Sequence, residues 1–379
     1  MARADIFSVT IRRFLAPVVR FLDDPSVSEI MINTYDEIYV EKDGKVTKTD
    51  ARFESEEAFM GAVNNILQYT GKRMTDEHPL QDSRLPDGSR VHVILEPLSR
   101  RGTCMSIRKF AKIMFEAETL VELGSWTRQA MEYLRFCVLA ERNLLVAGGT
   151  SSGKTCLLNV LSGFIPSHQR IVVIEDSAEL EFQQDHLISL ESRGADRYGR
   201  GEVNIRDLFR SSLRLRPDRI IIGECRGGEA LEIIQAMTSG HAGSMSTLHA
   251  NSSLDALNRL ETLCMMSEVN LPLHALRAQV TSAIDVVVQL TRFADGRRSV
   301  TEISEVMPLG EDGRYRAQEM FTYEMDEGAE SSAGRLVWTG ARSQFSREPS
   351  MRVLRQQAEL TKEIFAPSER PAKAEEAAR

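Results

Sequence analysis

At 379 residues the chain is too long for one ordinary domain, and 42% apolar with 27% charged residues excludes a disordered or fibrous protein. A net charge of -8 gives no overall electrostatic case for nucleic-acid binding, and no apolar run nears the roughly 20 residues that cross a bilayer. Five scattered cysteines without a C-x-x-C pair fit neither a disulfide framework nor a zinc ribbon, and Cys137 and Cys156 read as core thiols.

The opening residues, Met1 to Phe7, lack the continuous apolar core of a secretory leader, so a cytoplasmic protein is expected. From about residue 18 the chain reads as a small α+β domain. Ser28–Asn33 and Glu37–Glu41 are predicted strands, and Asp43-Gly44 turns the chain into Lys45–Thr47. Apolar residues at helical spacing predict a helix over Ser55–Tyr69, stopped by Gly71. Ser83–Leu85, the Pro86-Asp87-Gly88 turn, Arg90–Leu95 and Cys104–Arg108 then predict a meander. Residues 1–110 form this domain and 111–124 a linker.

From Trp126 helical patterns alternate with short, wholly apolar strands: Leu144–Ala147, Arg170–Ile174, Arg219–Gly223, Gly243–Leu248 and Asp285–Val288. Such runs indicate a mostly parallel sheet covered on both faces. The strand Leu144–Ala147 leads into Gly148-Gly149-Thr150-Ser151-Ser152-Gly153-Lys154-Thr155, a complete G-x-x-x-x-G-K-[ST] turn, and then into an apolar helix from Cys156. Side-chain-poor residues let backbone N–H groups close around phosphate, and the helix N-terminus adds its dipole. Lys154 is placed to reach the β- and γ-phosphates and Thr155 to bind Mg²⁺. The expected binding set is therefore Gly148, Gly149, Thr150, Ser151, Ser152, Gly153, Lys154, Thr155 and Cys156, and the domain over 125–340 is a RecA-like α/β fold. Short strands are expected at Met320–Tyr323 and Arg335–Trp338, around a polar loop from Glu327. An amphipathic helix is expected over Met351–Ile364, then disorder beyond Ala366, so that 341–379 is a helical and then disordered tail.

A nucleotide hydrolase needs a carboxylate near the γ-phosphate. Glu175, in Ile174-Glu175-Asp176-Ser177, and Glu224, in Ile222-Gly223-Glu224-Cys225-Arg226, stand at strand ends where α/β sheets bind ligands. Glu224 is the expected water activator. Since Gly223 replaces the usual aspartate, Mg²⁺ is left to Thr155, phosphate oxygens and water, with Glu224 nearby and either Glu175 or Asp176 in support. His241 and His249 lie in a Gly/Ser/Thr-rich run and read either as phosphate-sensing or inter-subunit residues or as ordinary loop residues. Arg206, Arg210 and Arg214 recur every four residues and form either a solvated helix face or a contact to a neighbour's nucleotide.

The run Leu213–Ala230 resembles the atypical Walker B of type II/IV secretion ATPases, Glu175–Leu180 their Asp box and Gly240–Asn251 their His box. Within that family the chain looks most like CpaF-type tight-adherence (Tad) pilus assembly ATPases, through Asp24–Asn33, Leu85–Val91 and Ser106–Phe110. The resemblance implies a PAS-like N-terminal domain, an ATP- and Mg²⁺-dependent homo-hexamer, and catalysis by Glu224, Lys154 and Glu175. It also implies nucleotide contacts from Arg84, Arg90 and Arg108, which otherwise read as surface arginines. It points to a partner in an inner-membrane platform protein, while the acidic charge balance predicts no direct nucleic-acid contact. The leading segment is shorter than the helical extension common in CpaF-like proteins, and the four-cysteine zinc module of type II relatives is missing. A conjugation-type secretion ATPase and a nucleotide-gated scaffold are the rival readings.

Overall fold

The computed structural model describes residues 3–42, 44–110, 115–195, 200–267, 269, 271–326 and 333–366. Asp43, residues 111–114 of the expected linker, most of the polar loop (327–332) and the tail beyond Ala366 lie outside them. The chain divides into two units, Met1–Ile113 and Met114–Arg379.

In the first unit, Ser55 caps α3 (Glu56–Tyr69) by accepting a hydrogen bond from the Ala58 N–H, and Gly71, at φ +73°, lets the chain leave it. Phe59, Ala62, Val63, Ile66 and Leu67 on its inner face are buried. They meet alternate residues of a sheet built from β1 (Val27–Thr34), β2 (Glu37–Lys42), β3 (Lys45–Lys48), β4 (Leu80–Arg84), β5 (Arg90–Ile94) and β6 (Cys104–Arg108). The order is β3-β2-β1-β6-β5-β4 and every pair is antiparallel. Two helices absent from the sequence reading, α1 (Arg3–Phe14) and α2 (Val19–Asp23), precede the sheet, and Ile11 and Leu15 join its core.

The second unit opens with α4 (Ala117–Glu122), inside the expected linker, and α5 (Arg128–Leu139). Its strands are β7 (Leu144–Gly148), β8 (Ile171–Glu175), β9 (Leu187–Glu191), β10 (Arg219–Ile222), β11 (Met245–Leu248), β12 (Val286–Arg292), β13 (Arg298–Met307), β14 (Arg316–Met325) and β15 (Gly334–Trp338). They form one sheet in the order β15-β14-β13-β12-β7-β11-β10-β8-β9. From β12 through β9 the neighbours are parallel, and β13 to β15 extend the sheet as an antiparallel meander. Alternate residues feed the two faces. Leu144, Val146, Ile171 and Val173 meet α5 and α6 (Lys154–Ser162). Leu145, Ala147, Val172 and Ile174 meet α7 (Ile205–Ser212), α8 (Ala230–Thr238), α9 (Ser253–Met265) and α10 (Leu273–Ala283).

The expected helix over Met351–Ile364 is a correction. α11 spans only Pro349–Leu354, followed by a 3₁₀ turn and a strap. The buried carboxylate of Glu132 on α5 accepts the N–H groups of Glu359, Leu360 and Thr361, at 2.9, 2.7 and 3.1 Å. Those donors are thereby taken from helical bonding, and Ile364 and Phe365 are drawn fully into the core, where Phe365 stacks on Tyr133.

Candidate active site

The carboxyl ends of β7, β11, β10 and β8, adjacent in that order, carry the phosphate-loop turn, His249, Glu224 and Glu175. Gly148 ends β7 under tight constraint, for a Cβ there would lie 2.5 Å from Ser152 Oγ and 2.7 Å from the Leu290 carbonyl. Ser151 and Gly153 take positive φ, 57° and 98°, to fold the turn back onto α6. Cys156 is half-buried at the loop's edge rather than in the core, and burial pushes its thiol up to about 11, so it is inert.

Lys154 is buried and donates to the carbonyls of Gly148 and Gly149 at 3.1 and 2.9 Å. Its Nζ also stands 3.4 Å from Nδ1 of His249. Nε2 of His249 lies 2.8 Å from Glu224 Oε1, a contact that is ionic only when the imidazole is protonated. Burial, with Lys154 beside it, holds the imidazole below its usual pKa. Lys154, His249 and Glu224 thus form a continuous line. Arg226 grips the other Glu224 oxygen at 2.5 Å and reaches toward Asp176 at 3.7 Å. A cleft of about 310 Å³ opens beside Glu224, Arg226 and His249, with Arg259 of α9 on its wall.

Glu175 lies buried at the end of β8 and accepts the N–H groups of Glu179 and Leu180 at 2.9 and 3.0 Å. Burial outweighs these bonds and raises its carboxyl to about 7. Its side chain occupies the space beside Gly223, where a Cβ would sit 2.9 Å from Glu175 Cγ. The glycine in place of the usual aspartate therefore makes room for a carboxylate arriving from the neighbouring strand.

The two histidines are separated. His249 follows β11 at the carboxyl ends of the strands beside the phosphate loop, whereas His241 precedes it at their amino ends, where its carbonyl accepts from Ser244 Oγ. Within the chain His241 does not join the loop. Its segment serves Arg219, whose fully buried guanidinium bonds Gln169 and the carbonyls of Gly243 and Val138 at 2.8, 3.1 and 2.8 Å. Gly243 is obligatory there, since a Cβ would fall 1.8 Å from Arg219. Arg206 and Arg210 both pair with buried Glu232 of α8, which accounts for two members of the arginine stripe.

In the first unit, Arg84 is opposite Arg90 and Arg90 opposite Arg108, so the three arginines form a row on one face of β4, β5 and β6.

The residues fit Mg²⁺ carried in with phosphate. Thr155, Glu175 and Glu224 offer hard oxygen donors, Ser152 Oγ is buried without a partner, and no cluster of three metal-binding side chains exists among the described residues. The ion would lean on the phosphates and water rather than on a protein cage.

Over residues 13–338 the chain matches the family described as Type II/IV secretion system protein. The chain belongs to the type II/IV secretion ATPase family. A putative conjugal transfer protein of Mycobacterium tuberculosis is 31% identical over 321 residues, covering 83% of this chain and 90% of that protein. The type IV secretion system protein PtlH of Bordetella pertussis is 34% identical over 311 residues, covering 75% and 91%. The X-ray structure of the Legionella pneumophila ATPase DotB shares the fold, with a TM-score of 0.53 at 20% identity over 80% of this chain and 82% of DotB. As a member of the family this secretion ATPase is an enzyme acting on a nucleotide. Sequence reasoning missed Arg259 and Arg298 as neighbours of the site. Neither belongs to a recognisable local motif, and only the strand order and helix packing bring them there.

Proposed function

We propose that the protein is a hexameric motor that hydrolyses Mg²⁺-ATP to drive pilus-subunit assembly or protein export, working in the cytoplasm against an inner-membrane platform protein. The Lys154–His249–Glu224 line beside the phosphate loop is the observation that carries this reading. ATP phosphates draw Lys154 away from the Gly148 and Gly149 carbonyls. Thr155, with Glu175 and Glu224 near, would hold Mg²⁺, which would supply charge neutralisation to the phosphates. Glu224, released from Arg226, orients the attacking water, and His249 donates to the γ-phosphate. The difference between ATP and ADP contacts at the phosphate loop supplies the free energy that the motor cycle uses.

The Tad-like N-domain motifs favour a pilus machine of the CpaF type. The names of the two relatives favour the second reading, a conjugation-type secretion ATPase. In the host, a Lys154→Ala replacement should abolish piliation or export while the protein is still made; unimpaired assembly would overturn the motor role. Prepilin and platform genes beside this one support the first branch, and relaxase and coupling-protein genes the second.

A further inference from the structure

The hairpin joining β12 to β13 overhangs the phosphate loop. β12 runs parallel to β7 with Leu290 opposite Gly148, so Thr291 and Arg292 continue past the point where β7 gives way to the loop. On the return strand Arg298 stands opposite Arg292. Its backbone is pinned on both sides by Ser125, which donates from Oγ to the Arg298 carbonyl at 2.9 Å and accepts the Val300 N–H at 2.8 Å. From that anchor the side chain lies along the first turn of α6, where a Cβ on Gly153 would be 3.7 Å from Arg298 Cδ. Its positive charge also opposes the rise that burial imposes on the Cys156 thiol. Arg298 is exposed, and among the described residues no carboxylate pairs with it, whereas its neighbour Arg297 is spent on Asp295 at 2.8 Å.

The sheet order gives the bound nucleotide a direction. Glu224 and His249 follow β10 and β11, on one side of β7, and Arg298 lies on the other, beyond β12. The γ-phosphate has to face Glu224 for water to reach it, so the α-phosphate and ribose end faces the β12–β13 hairpin. We propose that Arg298 is a nucleotide-anchoring residue whose guanidinium binds the α- and β-phosphates and holds ATP and ADP equally. The assignment rests on the nucleotide-site reading above. A preorganised, exposed guanidinium with no competing carboxylate is well suited to a phosphate.

Fluorescent ADP and a fluorescent non-hydrolysable ATP analogue, titrated against the full chain with Mg²⁺, test it. Arg298→Ala should weaken both ligands by the same factor, about tenfold or more. Arg298→Lys should recover part of the loss for both ligands. Should Arg298→Ala lower the melting temperature without nucleotide, Arg298→Gln, which keeps the stem against Gly153, makes the same comparison. Wild-type affinity for ADP in these variants, or a loss confined to the ATP analogue, would overturn the assignment. Failure of the wild-type chain to bind either ligand would instead overturn the nucleotide site itself, and Arg298 with it.

Discussion

The carboxylate of Glu175 fills the volume that a side chain at position 223 would need, with Cγ 2.9 Å and Oε1 3.2 Å from where a Cβ would lie. Gly223→Ala should therefore displace Glu175 and cost about 1–3 kcal/mol. In a denaturation-based double-mutant cycle with Glu175→Ala, the pair should lose less than the sum of the singles. Strict additivity would show that the two residues do not compete for space. Glu175 also makes stability depend on pH. Its carboxyl is raised to about 7 in the folded protein, against an ordinary value of 4.5. The folded state thus holds a proton that the unfolded chain gives up. That contribution is fully present below about pH 4.5 and is lost as pH rises through 7, a change on the order of 3 kcal/mol. Between pH 5 and 8 the wild-type melting temperature should fall more steeply than that of Glu175→Gln. Parallel curves would place the titration elsewhere.

At the level of elements, the C-terminal strap depends on α5. Glu132→Ala leaves three backbone donors without their carboxylate and frees Ile364 and Phe365 from the core. It should cost about 2–4 kcal/mol and open the strap to limited proteolysis, with Glu132→Gln intermediate. Protease resistance equal to wild type would show that the apolar contacts suffice. This strap was illegible in the sequence, because its conformation is imposed by a carboxylate more than two hundred positions away. The parallel strands were legible for the opposite reason. β7, β8 and β10 are buried on both faces and so appear as unbroken apolar runs, whereas the edge strand β9 is partly exposed and gives no such run. α7 was visible through its spacing, yet only the structure shows its Asn204–Asp207 capping box and the pairing of Arg206 and Arg210 with Glu232.

Across the whole molecule, each unit carries its own core, and the second gathers Lys154, Glu175, Glu224 and His249 at the carboxyl ends of the strands of a single sheet. The turn around Lys154 declares itself because its residues are contiguous. The carboxylates were legible as residues at strand ends. Their meeting, the separation of His241 from His249 and the approach of Arg298 follow from strand order, which local pattern does not contain. The central claim is that the loop at Lys154 grips ATP while Glu224 activates the water that cleaves it. Phosphate release and ATP binding, measured side by side on the wild-type chain and Glu224→Gln with Mg²⁺, test this most directly. The account predicts unchanged ATP affinity and turnover reduced by about a hundredfold or more in the variant; release at the wild-type rate would contradict it.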